Sequence, residues 1–292
     1  MFVFYLHDEA SVEGFERQLL WFLDRYTLVD YQTVEDVVYG RRRAPRRACH
    51  LSVDDGWLST YSVIFPVMKK HGVPFTVFVS PGTVQHGTPF WYKRLSVLNR
   101  EDDVKRYLVE QGIFGDAILS QPADLILKEL TMAQINSVLD HFDAPILQGS
   151  DRAFLNLPEL QEMAASGLVE VGAHTVHHPI LANETPEDSR SEIADSVSGL
   201  SRLVGKPIRT MAYPNGLRGL DFGDREMQAA EQAGLQTAFS VDPGYISSRS
   251  SRFALPRIGS ASRLKLGRPG AALPSLYDQA GHRKKIRAAK LK

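Results

Sequence analysis

The sequence predicts an α/β fold built on a largely parallel sheet. Short apolar or β-branched runs recur between longer segments of helical period, as expected for strands alternating with helices. Several helical segments stop at a glycine, such as Gly72, Gly167, Gly205 or Gly234, a common helix terminator. Clusters of Asp and His follow directly after strand-like runs, where parallel α/β folds bind their ligands.

Taken in order, the strand runs are Phe2–Leu6, Ala48–Val53, Phe75–Ser80, Val169–Ala173, Ile208–Tyr213 and Thr237–Val241. Helical period fits Val12–Tyr26, Leu58–His71, Pro158–Ser166, Pro186–Val204 and Arg225–Ala233. Between about His86 and Arg152 the alternation gives way to helix-like stretches such as Val104–Gln111 and Ala123–His141, which read as an insertion able to shape a cleft. The expected organisation is one domain over residues 1–262, with the insertion at about 86–152, and a basic C-terminal tail over 263–292.

Composition narrows the classes. Hydrophobic residues at 43% and charged residues at 23% describe a globular chain with a sizeable core, so disorder and fibre are excluded. Thirty-four basic residues cancel thirty-four acidic ones, which argues against a global grip on nucleic acid. One cysteine, Cys49, leaves no internal disulfide framework. The start MFVFYLHDEA lacks a charged leader and long apolar core, and no apolar run reaches the length of a spanning helix, so a cytoplasmic location is expected. The runs RRRAPRR (Arg41–Arg47) and HRKKIRAAKLK leave peripheral membrane contact open, the second through the tail, against the simpler reading of solvated loops.

Three elements carry chemistry. CHLSVDDGW sets Asp54 and Asp55 just past a strand, before the turn at Gly56, although Asp-Asp-Gly alone also reads as a helix-capping turn. VEVGAHTVHHP crowds His174, His177 and His178 at the end of another strand. If the chain coils there, His174 and His178 share a face at i, i+4, and with Asp55 they would form a three-ligand zinc site with a position open for water. IRTMAYPNG turns at Pro214 and Gly216, directing the backbone amides of Tyr213 and Asn215 toward the cleft, where they could bind an oxyanion.

The order DDG, HTVHHP, YPNG resembles the polysaccharide deacetylase family, carbohydrate esterase family 4, with its NodB homology domain, over roughly residues 1–260. VMKKHGVPFTVFVSPG and LPELQEMAASGLVEVGAHT are similar to the family around those motifs. The resemblance implies a distorted (β/α) barrel, a divalent metal, usually zinc, and an N-acylated sugar or glycan as substrate. By the same resemblance Asp54 is the general base, Asp55, His174 and His178 are the metal ligands, and the backbone amide of Asn215 stabilises the oxyanion. The late leucine-and-histidine motif that supplies the family's general acid is not found. FVFYLHDEA is similar instead to permuted relatives of the exopolysaccharide branch, which makes His7 the candidate acid. Ala212 stands where the third motif usually has an arginine, and RFALPRIG, similar to a segment of those same relatives, offers Arg257 as its substitute. The family's late aspartate-tryptophan motif is also not recognisable.

The expected reaction is therefore metal-assisted N-deacetylation of an N-acylated sugar in polysaccharide or glycolipid metabolism. Two alternatives remain open to the sequence. One is a deformylase or deacetylase of a lipid- or nucleotide-linked amino sugar, with Arg41–Arg47 holding a pyrophosphate. The other is a catalytically silent glycan-binding relative. Trp91 and Tyr92 could stack on a sugar ring, but as aromatics at the start of an insertion they read first as packing residues.

Overall fold

The apolar strand runs are explained by what covers them: a parallel sheet buried on both faces needs hydrophobic residues on both. A computed structural model describes residues 1–143, 152–259 and 276–290, the last from 276 to 280 in backbone only. Strands β1 (Phe2–Leu6), β3 (Ala48–Val53), β4 (Phe75–Val79), β5 (Val169–Ala173), β6 (Thr210–Ala212), β7 (Thr237–Phe239) and β8 (Ile258–Gly259) run parallel in the order β7-β6-β5-β4-β3-β1-β8. The short β2 (Thr27–Leu28) pairs with the start of β3. Leu255 bridges to Phe239 of β7 while Ile258–Gly259 pair with β1, so one segment joins the two sheet edges and closes an irregular barrel.

Alternation along each strand divides the core. Leu51, Val53, Val77 and Val79 face outward onto α1 (Val12–Arg25), α3 (Phe65–His71), α9 (Leu157–Ala165) and α10 (Pro186–Val204). Inside, Val3, Phe78, Ala212, Phe239 and Leu255 pack with Tyr31, Val34 and Val38 of α2 (Tyr31–Val38), which fills the amino end of the barrel. The sequence reading had no helix there, because YQTVEDVV is short and rich in β-branched residues of low helix propensity. Asp30 secures its start by accepting the Thr33 amide.

Two expected helices and the expected tail differ. The segment expected as a helix from Leu58 begins with a wide π turn over Thr60–Ile64, and α3 follows. Pro66 accounts for it, since its ring would clash with the carbonyl four residues back in a regular helix. The stretch Ala123–His141 is two helices, α7 (Ala123–Leu127) and α8 (Met132–His141), because Thr131 and Gln134 form a capping box that starts α8 afresh. Of the segment expected as a basic tail, the boundary at 262 and residues up to 275 lie outside the described residues, while Leu276–Ala288 forms α12.

α4 (Pro81–His86) follows β4 and joins the main core through Val84, whereas the insertion supplies α5 (Trp91–Leu98), α6 (Glu101–Glu110), α7 and α8 around its own apolar core, which Ile286 of α12 completes. After β6 the remaining helix, α11 (Asp224–Gln232), returns the chain to β7. Among the described residues no helix is long and apolar enough to cross a membrane.

Candidate active site

The carboxyl ends of β1, β3, β5 and β6 bring the predicted residues to one place. On β3, His50, Ser52 and the following Asp54 alternate with the outward Leu51 and Val53, so Asp54 points into the barrel mouth. Arg257 is fully buried and grips it from below: Nη1 lies 2.7 Å from Oδ1 and Nη2 2.9 Å from Oδ2. The same guanidinium donates to Ser52 Oγ and to the Ser240 carbonyl, and stacks within 6 Å of the rings of Tyr5, Phe78 and Phe239. Burial alone would raise the Asp54 carboxyl, but Arg257 holds it below the usual range.

Asp55 departs from the strand with φ 69°, and Gly56 follows at φ 67°. A Cβ at Gly56 would sit 2.7 Å from Val79 Cγ1, so the turn that swings Asp55 sideways admits only glycine. Oδ1 of Asp55 then faces two imidazoles, 3.4 Å from His174 Nε2 and 3.4 Å from His178 Nε2. His174 Nδ1 lies 2.7 Å from the Ala212 carbonyl, which can only accept, so Nδ1 carries the proton and Nε2 presents a lone pair.

His174 and His178 converge through a different geometry from the helical turn expected. The loop after β5 is irregular, with Thr175 at φ 62° and His178 at φ 60°. Thr175 Oγ1 accepts the His178 amide, and Glu192 of α10 accepts the amides of Val176 and His177. His177 turns away to pair with Glu192.

The three donor atoms lie within 4.8 Å of one another and are buried. Asp55 Oδ1 accepts no hydrogen bond there. A carboxylate oxygen and imidazole lone pairs that meet in a dry site repel one another unless a cation lies between them. Ligand atoms about 2.1 Å from a tetrahedral centre are about 3.4 Å apart, which matches the spacing seen. The residues therefore fit a divalent metal ion.

His7 follows β1 half-exposed, its Nε2 4.0 Å from Asp55 Oδ2, on the open side of the cleft. Asn215 sits in the turn after β6 at φ 57°, and its side-chain Nδ2 is buried without a hydrogen-bond partner. Gly216 follows at φ 71°, where a Cβ would meet the Tyr213 carbonyl at 2.9 Å. The Tyr213 amide donates to Phe239 in the sheet, so of the two amides expected to face the cleft this one is already committed.

Trp57, to which no role was assigned from sequence, and Tyr92, expected first as a packing residue, belong beside the site. Trp57 donates its indole N–H to Asp55 Oδ2 at 3.1 Å and stacks on Phe154. Its position directly after DDG was the available signal. Trp91 is a packing residue, as expected, with its indole bonded to the His178 carbonyl. Tyr92 instead turns toward the metal group, its ring 5.2 Å from that of His178 and its hydroxyl buried with no hydrogen-bond partner. Its neighbour Trp91 carries the same local signal, so only the docking of the insertion distinguishes the two.

Arg41–Arg47 lies at the other end of the barrel. Arg47 precedes β3 and Asp54 follows it, so about 20 Å of strand separates them. The cluster is too far away to help hold the pyrophosphate of a substrate bound at Asp54, the part it was expected to play in the lipid- or nucleotide-linked reading.

The family model described as polysaccharide deacetylase matches residues 41–238. The chain is 22% identical over 269 residues to YxkH of Bacillus subtilis (strain 168), a protein named for the same family, covering 90% of this chain and 68% of that one. Its fold is similar to that of IcaB from Ammonifex degensii, with a TM-score of 0.61, 18% identity, and coverage of 97% of this chain and 96% of that one. It is also similar to the Streptococcus pyogenes deacetylase PplD solved in complex with acetate, with a TM-score of 0.59, 18% identity, and coverage of 89% and 92%. From the match over more than half its length, together with the order of its motifs on a parallel barrel, the chain belongs to the polysaccharide deacetylase family.

Proposed function

We propose that this chain is a zinc-dependent hydrolase that removes the acyl group from an N-acylated sugar of a glycan. The observation that carries the reading is the buried trio of Asp55 Oδ1, His174 Nε2 and His178 Nε2 beside an Asp54 already gripped by Arg257. Two imidazole nitrogens and one carboxylate oxygen form a donor set suited to zinc with one position open. A bound divalent ion would supply Lewis acidity, activating water near neutral pH and polarising the acyl oxygen.

The chain's own residues divide the remaining work. Asp54, ionised and oriented by both nitrogens of Arg257, accepts the proton of the attacking water as its oxygen bonds to the acyl carbon. Negative charge moves to the acyl oxygen, where the Asn215 backbone amide and the Tyr92 hydroxyl are the supporting donors. His7, on the open side of the cleft, protonates the amine as the carbon–nitrogen bond breaks. The products are a free amino sugar and a carboxylate.

The test compares metal content and acetate release from N-acetylglucosamine oligomers for the wild type with His174→Ala, His178→Ala and Asp54→Asn. About one zinc per chain, lost in both histidine variants, is expected. Asp54→Asn should keep the metal and lose activity. Wild-type protein that takes up no metal under any loading condition would overturn the reading.

A further inference from the structure

The amino end of the barrel carries a second charged feature that the proposed hydrolysis does not use. A cavity of about 680 Å³ lies there, lined by Gly40, Arg41, Arg42, Arg43 and, across from them, Tyr245 and Ser248. The two walls are tied together where Ile246 exchanges backbone hydrogen bonds with Met1 at the start of β1. No carboxylate lines the cavity.

The arginines differ in how far they are engaged. Arg41 pairs with Glu35 and Asp36 and stacks on Tyr39. Arg42 reaches only the Thr33 hydroxyl, at 3.4 Å, with Asp30 nearby but occupied in capping α2. Arg43, Arg46, Arg47 and, beside Ser248, Arg249 are exposed and form no ion pair among the described residues. In a chain of zero formal net charge, this gathers five cations without a carboxylate partner on one end of the molecule. Tyr245, at 68% exposure, is the most exposed large hydrophobic side chain in the described residues and sits on the same rim.

Free guanidinium groups around an exposed tyrosine match the chemistry of a bilayer surface, where phosphates attract arginine and an amphipathic ring settles at headgroup level. The C-terminal basic run is less available, since Arg283 and Arg287 pair internally with Glu129 and Asp221. We propose that the amino-end face formed by residues 40–47 and 245–249 is a docking surface for an anionic lipid bilayer. The arginines meet the headgroup phosphates, Tyr245 enters the headgroup layer, and the catalytic mouth faces away, about 20 Å from the lipid.

The test is co-sedimentation of the full chain with vesicles of phosphatidylcholine alone and of phosphatidylcholine mixed with phosphatidylglycerol. The wild type should bind the mixed vesicles only and be released by salt. Combined substitution of Arg42, Arg43, Arg46 and Arg47 by Ala should weaken binding by about a hundredfold or more, and Tyr245→Ser by a few-fold. Zinc uptake by the same variants shows that they are folded, because their metal group lies at the opposite end. Equal partitioning of wild type and the four-arginine variant, or no binding to the anionic vesicles, would overturn the proposal. So would micromolar binding of inorganic pyrophosphate to a protein that ignores vesicles, which would assign the cavity to a free phosphate ligand.

Discussion

Arg257 and Arg283 are both almost completely buried, and each neutralises buried carboxylate, yet they sit in regions that do different things. Arg257 lies inside the barrel, where both its terminal nitrogens meet one carboxylate, Asp54, at the floor of the cleft. Arg283 lies in the seam between α12, the insertion and the turn after β6, where it binds Glu129 and Asp221 and donates to the Lys128 carbonyl. The first aligns one group beside an open mouth that His7 shares. The second fastens three segments together, and neither of its carboxylate partners belongs to the metal group or faces Asp54. Burial of an ion pair thus has no single meaning: what the carboxylate faces on its other side decides whether the pair orients chemistry or holds architecture.

The sharpest break of this comparison is to remove each guanidinium in turn. Arg257→Met and Arg283→Met should each lower unfolding stability by about 3–5 kcal/mol in urea titrations, because each leaves buried carboxylate unpaired. Their activities should part company. Folded Arg257→Met is expected to lose about a hundredfold in kcat through misalignment of Asp54, whereas Arg283→Met stays within a few-fold of wild type. Similar losses of kcat in both would erase the distinction.

Acid should separate the same two regions. His50 is buried in the barrel wall between the Val29 carbonyl and Thr76 Oγ1, and burial pulls its pKa down to about 4. The unfolded chain therefore binds this proton more readily than the native one between pH 6.5 and 4, and stability falls as pH drops through that window. The loss attributable to His50 is about 3 kcal/mol. Hydrogen exchange should show barrel amides losing protection over this range, and His50→Asn should remove that part of the loss. The insertion's apolar core contains no buried histidine among the described residues. Earlier acid loosening of the insertion would reverse the expected order.

A smaller effect probes a place where the insertion reaches the metal group. Tyr92→Phe keeps the ring against His178 and removes only the unpartnered hydroxyl. We expect kcat to fall about tenfold, with KM and zinc content unchanged, as for loss of a donor used only in the transition state. A change confined to KM would place the hydroxyl on the sugar instead.

Much of the barrel was legible locally. β1, β3 and β5 match the residues read from apolar runs, because a parallel strand covered on both faces has few other ways to be written. α10 was equally plain, opened by a Thr185 cap with Pro186 and closed by Gly205. Edges were harder: β6 and β7 are three residues each, shorter than their apolar runs, since Tyr213 leaves the strand for the turn and the chain after Phe239 pairs with Leu255 instead. β8 was not foreseen, because two residues carry no period at all.

By itself the sequence determined the α/β class, the strands that hold the cleft, and the residue types Asp, Asp, His and His at strand ends, because periodicity and turn chemistry are local properties written in neighbouring residues. Only the tertiary structure decided how those residues meet. It turned His174 and His178 onto one carboxylate oxygen through left-handed loop residues rather than a helix, brought Arg257 across the barrel to Asp54, drew Tyr92 in from the insertion, and set Arg41–Arg47 at the far end. Each of these depends on strand order, sheet closure and the docking of an inserted body, which join residues up to 203 positions apart and leave no local period to read.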